Sequence, residues 1–131
     1  MKIGYKELIS RAEDNIESIS IEEAEALIGN ENTVFIDIRD IRELQREGKM
    51  PGAKHAPRGM LEFWVDPDSP YHREIFAEDK KFIFYCASAW RSALATDTVQ
   101  SMGMKNVCHM TGGFNAWKGA DKVIEKLEPK N

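Results

Sequence analysis

The chain has 131 residues, enough for one domain around a single core, and 42% apolar with 31% charged residues is the balance of an ordinary globular protein. A net charge of -4 with dispersed basic residues argues against nucleic acid as a partner. The segment from Met1 to Glu7 has no signal-peptide core, and no apolar run is long enough to cross a bilayer. Two cysteines far apart make no disulfide framework, so the expected setting is a reducing cytoplasm with no membrane partner.

Leu8, Ile9, Ala12, Ile16 and Ile19 recur at helical spacing and predict an amphipathic helix over residues 5–17, packed across the outside of the domain. Ser20 and Glu23 match a capping box, and Ile21, Ala24, Leu27 and Ile28 supply the apolar face of a second helix ended by Gly29-Asn30. Neither helix suggests chemistry. Thr33 to Ile38 is a β-branched, two-sided apolar run up to Asp37, the mark of a central strand in a parallel sheet. Asp37 and Arg39 at its carboxyl end read as an ion pair that ties the loop down, with a direct ligand role as the alternative. Ile41 to Gln45 makes a short helical turn halted by Gly48.

Between Lys49 and Gly59 the pattern is a Pro-Gly turn, a very short strand and a second turn. His55 is expected at the strand end with a local hydrogen bond, and a single histidine is poor evidence for a metal site. Arg58 leaves the carboxyl end of that strand and so faces the functional side of the sheet. Met60 to Val65 predicts a helical turn, residues 66–70 a rigid loop, and residues 71–76 a further turn. The aromatics there either wall a pocket or belong to the core.

Phe82-Ile83-Phe84-Tyr85 reads as a buried strand that stops at Cys86, passes through Ala87, Ser88, Ala89 and Trp90, and enters a helix at Arg91 and Ser92. This arrangement lifts the thiol to the sheet edge where open α/β sheets bind ligands. It turns backbone N–H groups inward around the sulfur, and it sets the sulfur near the positive end of a helix. Each effect favours thiolate over thiol, so Cys86 is expected to be a primed nucleophile. The bland alternative is a small apolar residue closing a strand. Arg91 nearby, and the lack of large aliphatic residues in the loop, favour the nucleophile.

Gly103 closes the helix, and Asn106 to Met110 gives a last strand. Cys108 within it is expected to be buried and inert, with a resolving-thiol role as the alternative. His109 beside it points to the opposite face and forms no metal pair with it. Thr111-Gly112-Gly113 leads into a short helix over residues 114–117, the glycines permitting positive φ or a close backbone approach. Residues 121–127 predict a final helix stopped by Pro129.

Four segments, in this order and spacing, carry a resemblance: Phe35 to Arg39 with Glu43; Gly48 to Pro57; Tyr85-Cys86 through Arg91-Ser92; and Gly112 to Trp117. The chain resembles single-domain rhodanese-like proteins, the match spanning residues 19–118. The resemblance implies an α/β fold with a mainly parallel sheet flanked by helices on both faces. On this basis residues 1–18 form an N-terminal helical extension and residues 19–131 the rhodanese-like domain. It further implies a sulfurtransferase in which Cys86 carries a sulfane sulfur as a persulfide, without cofactor or metal. The partners would be a small sulfur donor, thiosulfate or a persulfide, including a protein persulfide, and a thiol or cyanide acceptor.

The expected site comprises Cys86 as catalytic residue, with Ala87, Ser88, Ala89, Trp90, Arg91, Ser92 and Arg58 against the substrate and Asp37 and Arg39 in support. Arg91 either braces the loop and offsets charge at the rim, or forms a surface salt bridge. Two other readings remain in play: a non-catalytic rhodanese-like binding module, and a cysteine-dependent phosphatase. The phosphatase loop is one residue longer between Cys and Arg than the four residues present here, and the narrower ring suits a single sulfur. Rhodanese-like loops of this length commonly carry glycine where this chain has Ala89. A positive φ there would strain the loop by roughly 1–2 kcal/mol.

Overall fold

The computed structural model describes residues 1–128. Five strands, β1 (Glu17–Ile19), β2 (Thr33–Asp37), β3 (Lys54–His55), β4 (Lys81–Tyr85) and β5 (Val107–Met110), form one sheet in the order β1-β5-β4-β2-β3. Every pairing in it is parallel. Parallel strands require crossovers, and these are α2 (Ile21–Ala26), α3 (Ile41–Glu47), α4 (Leu61–Val65) and α5 (Trp90–Ser101). An additional helix, α1 (Tyr5–Asn15), precedes the sheet and α6 (Gly113–Gly119) follows it. The fold is the α/β architecture expected, with helices on both faces.

The buried stretches of β2 and β4, residues 34–36 and 82–85, are apolar, as strands covered on both faces are. Val34, Ile36, Phe82 and Phe84 pack with Leu61 of α4 and with Ala95 and Val99 of α5. Phe35, Ile83 and Tyr85 face the other way, onto Ala24 of α2 and Phe114 and Trp117 of α6. From β2 the chain winds outward to β3, and from β4 it winds the opposite way to β5. The winding reverses between β2 and β4, so the ligand crevice of such a sheet lies at their carboxyl ends. Cys86 and the pair Asp37 and Arg39 stand there.

The first helix stops two residues short of its expected end, because residues 17–19 are taken up as edge strand β1 beside β5. Ile16 and Ile19 fitted the helical spacing, yet they pack from an extended segment. The expected helix over 121–127 does not form. Asp121 takes a left-handed φ of 58° after α6, and the chain then pairs with an earlier turn: Lys49 and Glu125 exchange both backbone hydrogen bonds at 2.9 Å. Trp117 Nε1 donates to the Val123 carbonyl at 2.7 Å, and Ile124 packs against the core. Tertiary pairing outweighs local helical preference in that segment. Pro129, its expected stop, lies outside the described residues. No helix among the described residues is long and apolar enough to cross a membrane.

The second helix is capped as its sequence predicts, with Ser20 Oγ accepting from Glu23 N and Glu23 Oε1 accepting from Ser20 N, both at 3.1 Å. On α3 the same device recurs at Asp40 and Glu43. Helix α1 lies along α5 with Ile9 and Ala12 buried against Ala93.

Candidate active site

Strand β4 ends at Tyr85, and Cys86 follows it into the loop beneath α5. The sulfur lies below the surface, the residue being 1% exposed. Ser92 N–H, in the first turn of α5, is donated to Sγ at 3.3 Å. The backbone N–H groups of residues 87–91 donate to no acceptor among the described residues. A first helical turn leaves its N–H groups unpaired, and here that turn begins four residues after a thiol, with the Ser92 N–H on the sulfur.

Two residues at the loop leave the ordinary backbone region. Ala89, immediately before α5, has φ 74° and ψ 1°. The left-handed conformation at this alanine costs roughly 1–2 kcal/mol, strain of the kind that collects at working sites. Gly113 has φ 60°, and a Cβ there would stand 2.6 Å from the Cys86 and Ala87 carbonyl oxygens. That close approach lets Phe114 N–H donate to the Cys86 carbonyl at 2.8 Å and Asn115 N–H to the Ala87 carbonyl at 3.0 Å. The start of α6 thus holds the loop's carbonyls from behind.

Arg91 forms a two-pronged ion pair with Glu43 of α3, Nη1 to Oε2 at 2.8 Å and Nη2 to Oε1 at 3.0 Å. The Arg91 hydrogen bond holds the Glu43 carboxyl below its usual range, and Glu43 in turn raises the guanidinium. The brace therefore ties the start of α5 to the helix that follows β2. Arg58 is likewise matched, by Glu62 at 2.7 Å, in the 3-10 turn Arg58–Met60 after β3. It faces the expected side of the sheet, but its charge is engaged next door. Ser88 and Trp90 are exposed, whereas Ala87 and Ala89 are half-buried.

Asp37 and Arg39 are both fully buried and paired at 2.8 Å. Burial opposes the guanidinium charge, but the Asp37 hydrogen bond and negative charge outweigh it and leave its pKa raised. Arg39 Nη2 also donates to the Gly48 carbonyl at 2.7 Å, and the guanidinium lies 4.2 Å over the Phe114 ring. The pair therefore ties β2, the end of α3 and α6 together, the ion pair that the sequence suggested. His55 Nε2–H donates to the Arg39 carbonyl at 2.7 Å, the local bond expected of it.

Two further contacts were not legible in the sequence. Glu43 was visible as part of a motif, but its meeting with Arg91 spans 48 residues. His109, buried on β5, bonds Ser92 Oγ through Nδ1 at 3.0 Å and Ser18 Oγ through Nε2 at 3.1 Å. Burial lowers its pKa and keeps the ring neutral near pH 7. Parallel register sets Ser18 beside His109, so the missed strand β1 supplies that partner.

The rhodanese-like domain family matches residues 20–120. The chain belongs to the rhodanese-like family. Among solved structures, a protein of unknown function from Rhodopseudomonas palustris, described as a possible tyrosine phosphatase, is 50% identical with TM-score 0.92, covering 95% of this chain and 96% of that one. The thiosulfate:glutathione sulfurtransferase of Saccharomyces cerevisiae is 28% identical over 127 residues, 87% of this chain and 88% of the relative. A tRNA uridine(34) hydroxylase of Prochlorococcus marinus is 30% identical over 108 residues, 81% of this chain but 34% of that protein. The rhodanese-like relatives named as sulfurtransferases make this a sulfurtransferase family, one whose domain also occurs within an enzyme named for another reaction.

Proposed function

We propose that this rhodanese-like protein is a sulfurtransferase that carries a sulfane sulfur as a persulfide on Cys86. The observation that carries the reading is the Ser92 N–H donated to Sγ at the start of α5, beside a run of N–H groups with no protein acceptor. The Cys86 thiolate attacks the outer sulfur of the donor. A new S–S bond forms, the donor's S–S bond breaks, and its electron pair leaves on the remainder, sulfite from thiosulfate or a thiolate from a persulfide. The terminal sulfur of Cys86–S–S⁻ then carries the negative charge, and the loop N–H groups stabilise it as an oxyanion hole stabilises oxygen. A thiol or cyanide acceptor attacks that terminal sulfur and the Cys86 thiolate leaves. Two successive displacements give ping-pong kinetics.

The donor reading follows from charge. Thiosulfate is a dianion, and a site that selects it would offer free cations around the sulfonate. Here Arg91 is matched by Glu43 and Arg58 by Glu62. Charge-assisted hydrogen bonds are worth about 1.5–3 kcal/mol each, and each 1.4 kcal/mol is about tenfold in affinity. Thiosulfate should therefore bind only at about millimolar levels, and a low-molecular-weight or protein persulfide should be the better donor. Steady-state kinetics with cyanide as acceptor test this: a higher kcat/KM for the persulfide is expected, and a micromolar KM for thiosulfate would reject it. Two free thiols suit a reducing cytoplasm.

The description of the Rhodopseudomonas relative raises phosphate-ester hydrolysis as a second reading. Four residues between Cys86 and Arg91 leave a ring too narrow for three phosphate oxygens, so aryl phosphates should not be hydrolysed. Hydrolysis dependent on Cys86 at a rate rivalling sulfur transfer would favour the phosphatase.

A further inference from the structure

Helix α1 lies outside residues 20–120, which match the family, and its sequence suggested only packing. Its placement adds something else. Ile9 and Ala12 are buried against Ala93 with Ile16 and Leu94 beside them. At the far end, Gln100 Nε2 donates to the Asn15 carbonyl at 2.6 Å. The contact of Asn15 with the end of α5 means that the two helices run side by side in the same direction. Their starts therefore meet at the carboxyl edge of the sheet. There the Tyr5 ring lies 5.1 Å from the Trp90 ring, tilted by 46°.

Trp90 is the residue through which the Cys86 loop enters α5, so this aromatic pair stands at the end of the loop that holds the thiol. Neither ring is core. Tyr5 is 52% and Trp90 54% exposed, and Leu8, one turn on from Tyr5, is also exposed. Each ring fixes the other, yet each keeps half its surface in water. Fixed aromatic faces of this kind bind planar apolar groups at little entropic cost. The cations nearest the loop, Arg91 and Arg58, are both neutralised by carboxylates. The two arginines are thus engaged, and the exposed surface at this pair is aromatic.

We propose that Tyr5 and Trp90 form a specificity rim that binds the apolar carrier of an organic, singly charged sulfur donor, with Tyr5 brought to the site by the N-terminal helix. The proposal rests on the sulfurtransferase reading and names the substrate class of that site. For an aryl thiosulfonate the step is balanced without any redox partner. The Cys86 thiolate bonds to the outer sulfur, the S–S bond of the donor breaks, its electron pair leaves on the aryl sulfinate, and the persulfide anion remains on Cys86.

The test compares benzenethiosulfonate with methanethiosulfonate, which differ only in the carrier. The unmodified protein should prefer the aryl donor in kcat/KM, through KM, by about tenfold, the scale of one well-placed aromatic contact. Tyr5→Leu, which keeps apolar bulk on α1, should erase most of that preference, and Tyr5→Phe should keep it. An unchanged aryl-to-methyl ratio in Tyr5→Leu, or no preference in the unmodified protein, would overturn the proposal. Calorimetric binding of benzenethiosulfonate to Cys86→Ser separates the rim from the chemistry. Binding that weakens about tenfold when Tyr5→Leu is added supports the rim even if no donor is turned over, an outcome that would sink the sulfur-transfer reading alone. Binding indifferent to Tyr5 sinks the rim.

Discussion

Cys108 stands on β5 and Cys86 just past the end of the neighbouring β4, and their exposures are 0% and 1%, so burial does not tell them apart. Their surroundings do. Cys108 lies within β5, opposite Ile83 of β4, among Met110, Phe114 and Trp117. Burial there pushes its thiol up to about 11, so it stays protonated and unreactive at neutral pH. Cys86 lies one residue past the end of β4, where the ladder has run out and the N–H groups of the next helix begin. A thiol inside a strand meets side chains, whereas a thiol just past the strand's carboxyl end meets unpaired backbone donors. Position along the strand, more than depth, is what separates the two thiols, and the proposed function rests on that separation.

Removing each thiol in turn makes the largest difference. Cys86→Ser should lower sulfur transfer by roughly a thousandfold or more, the scale for deleting a nucleophile. Cys108→Ser should leave turnover nearly intact. Equal loss in both folded variants, measured as thiocyanate formation, would mean that the two thiols work together.

Next in size is the backbone behind the loop. Gly113→Ala puts a Cβ against two carbonyl oxygens at 2.6 Å and forces alanine into positive φ. Left-handed strain and overpacking together should cost about 2–5 kcal/mol and displace the Cys86 loop, lowering activity as well as Tm. Gly119→Ala, where nothing lies within 4 Å of the added carbon, is the control and should do neither. If Gly113→Ala melted like the control, the loop would not depend on that approach.

The comparison sharpens further with pH. His109 holds Ser92 and Ser18 while neutral, and burial depresses its pKa below the ordinary 6.5. As pH falls below 6.5, the unfolded chain takes up a proton that the folded one refuses, so stability falls with acid. His109→Asn should flatten the dependence of denaturation midpoint on pH between that value and the onset of carboxylate titration. A midpoint curve unchanged by the substitution would show that this imidazole is not what senses acid.

The smallest expected effect is at Ala89. Replacing it with glycine relieves left-handed strain but loosens the unfolded chain, for a net gain of roughly 0.5–1 kcal/mol. A loss of stability in Ala89→Gly would mean that the alanine methyl packs in a way that outweighs its φ of 74°.

The parts of this site that lie close together in sequence were legible without a structure. The apolar strand, the abrupt cysteine, the loop and the following helix occupy one continuous stretch, and each link is a local pattern. The glycine pair at the start of α6 announced a positive φ or a close approach without naming what was approached. What the sequence hid depends on pairing across the fold. Strand β1 is three residues, and its Ile19, with Ile16 just before it, mimics a helix until β5 recruits the segment. Residues 121–127 have helical spacing, but Glu125 meets Lys49 and the helix is lost. Glu43 and Arg91 come together only when α3 and α5 are set side by side, and Tyr5 reaches Trp90 only because α1 runs along α5.

The central claim is that sulfur travels on Cys86, and intact mass addresses it most directly. After incubation with a persulfide or thiosulfate and removal of excess donor, the protein should be heavier by one sulfur atom. The added atom should map to the peptide containing Cys86 and vanish on adding cyanide. No mass gain with either donor, or a gain that maps to Cys108, would contradict the account.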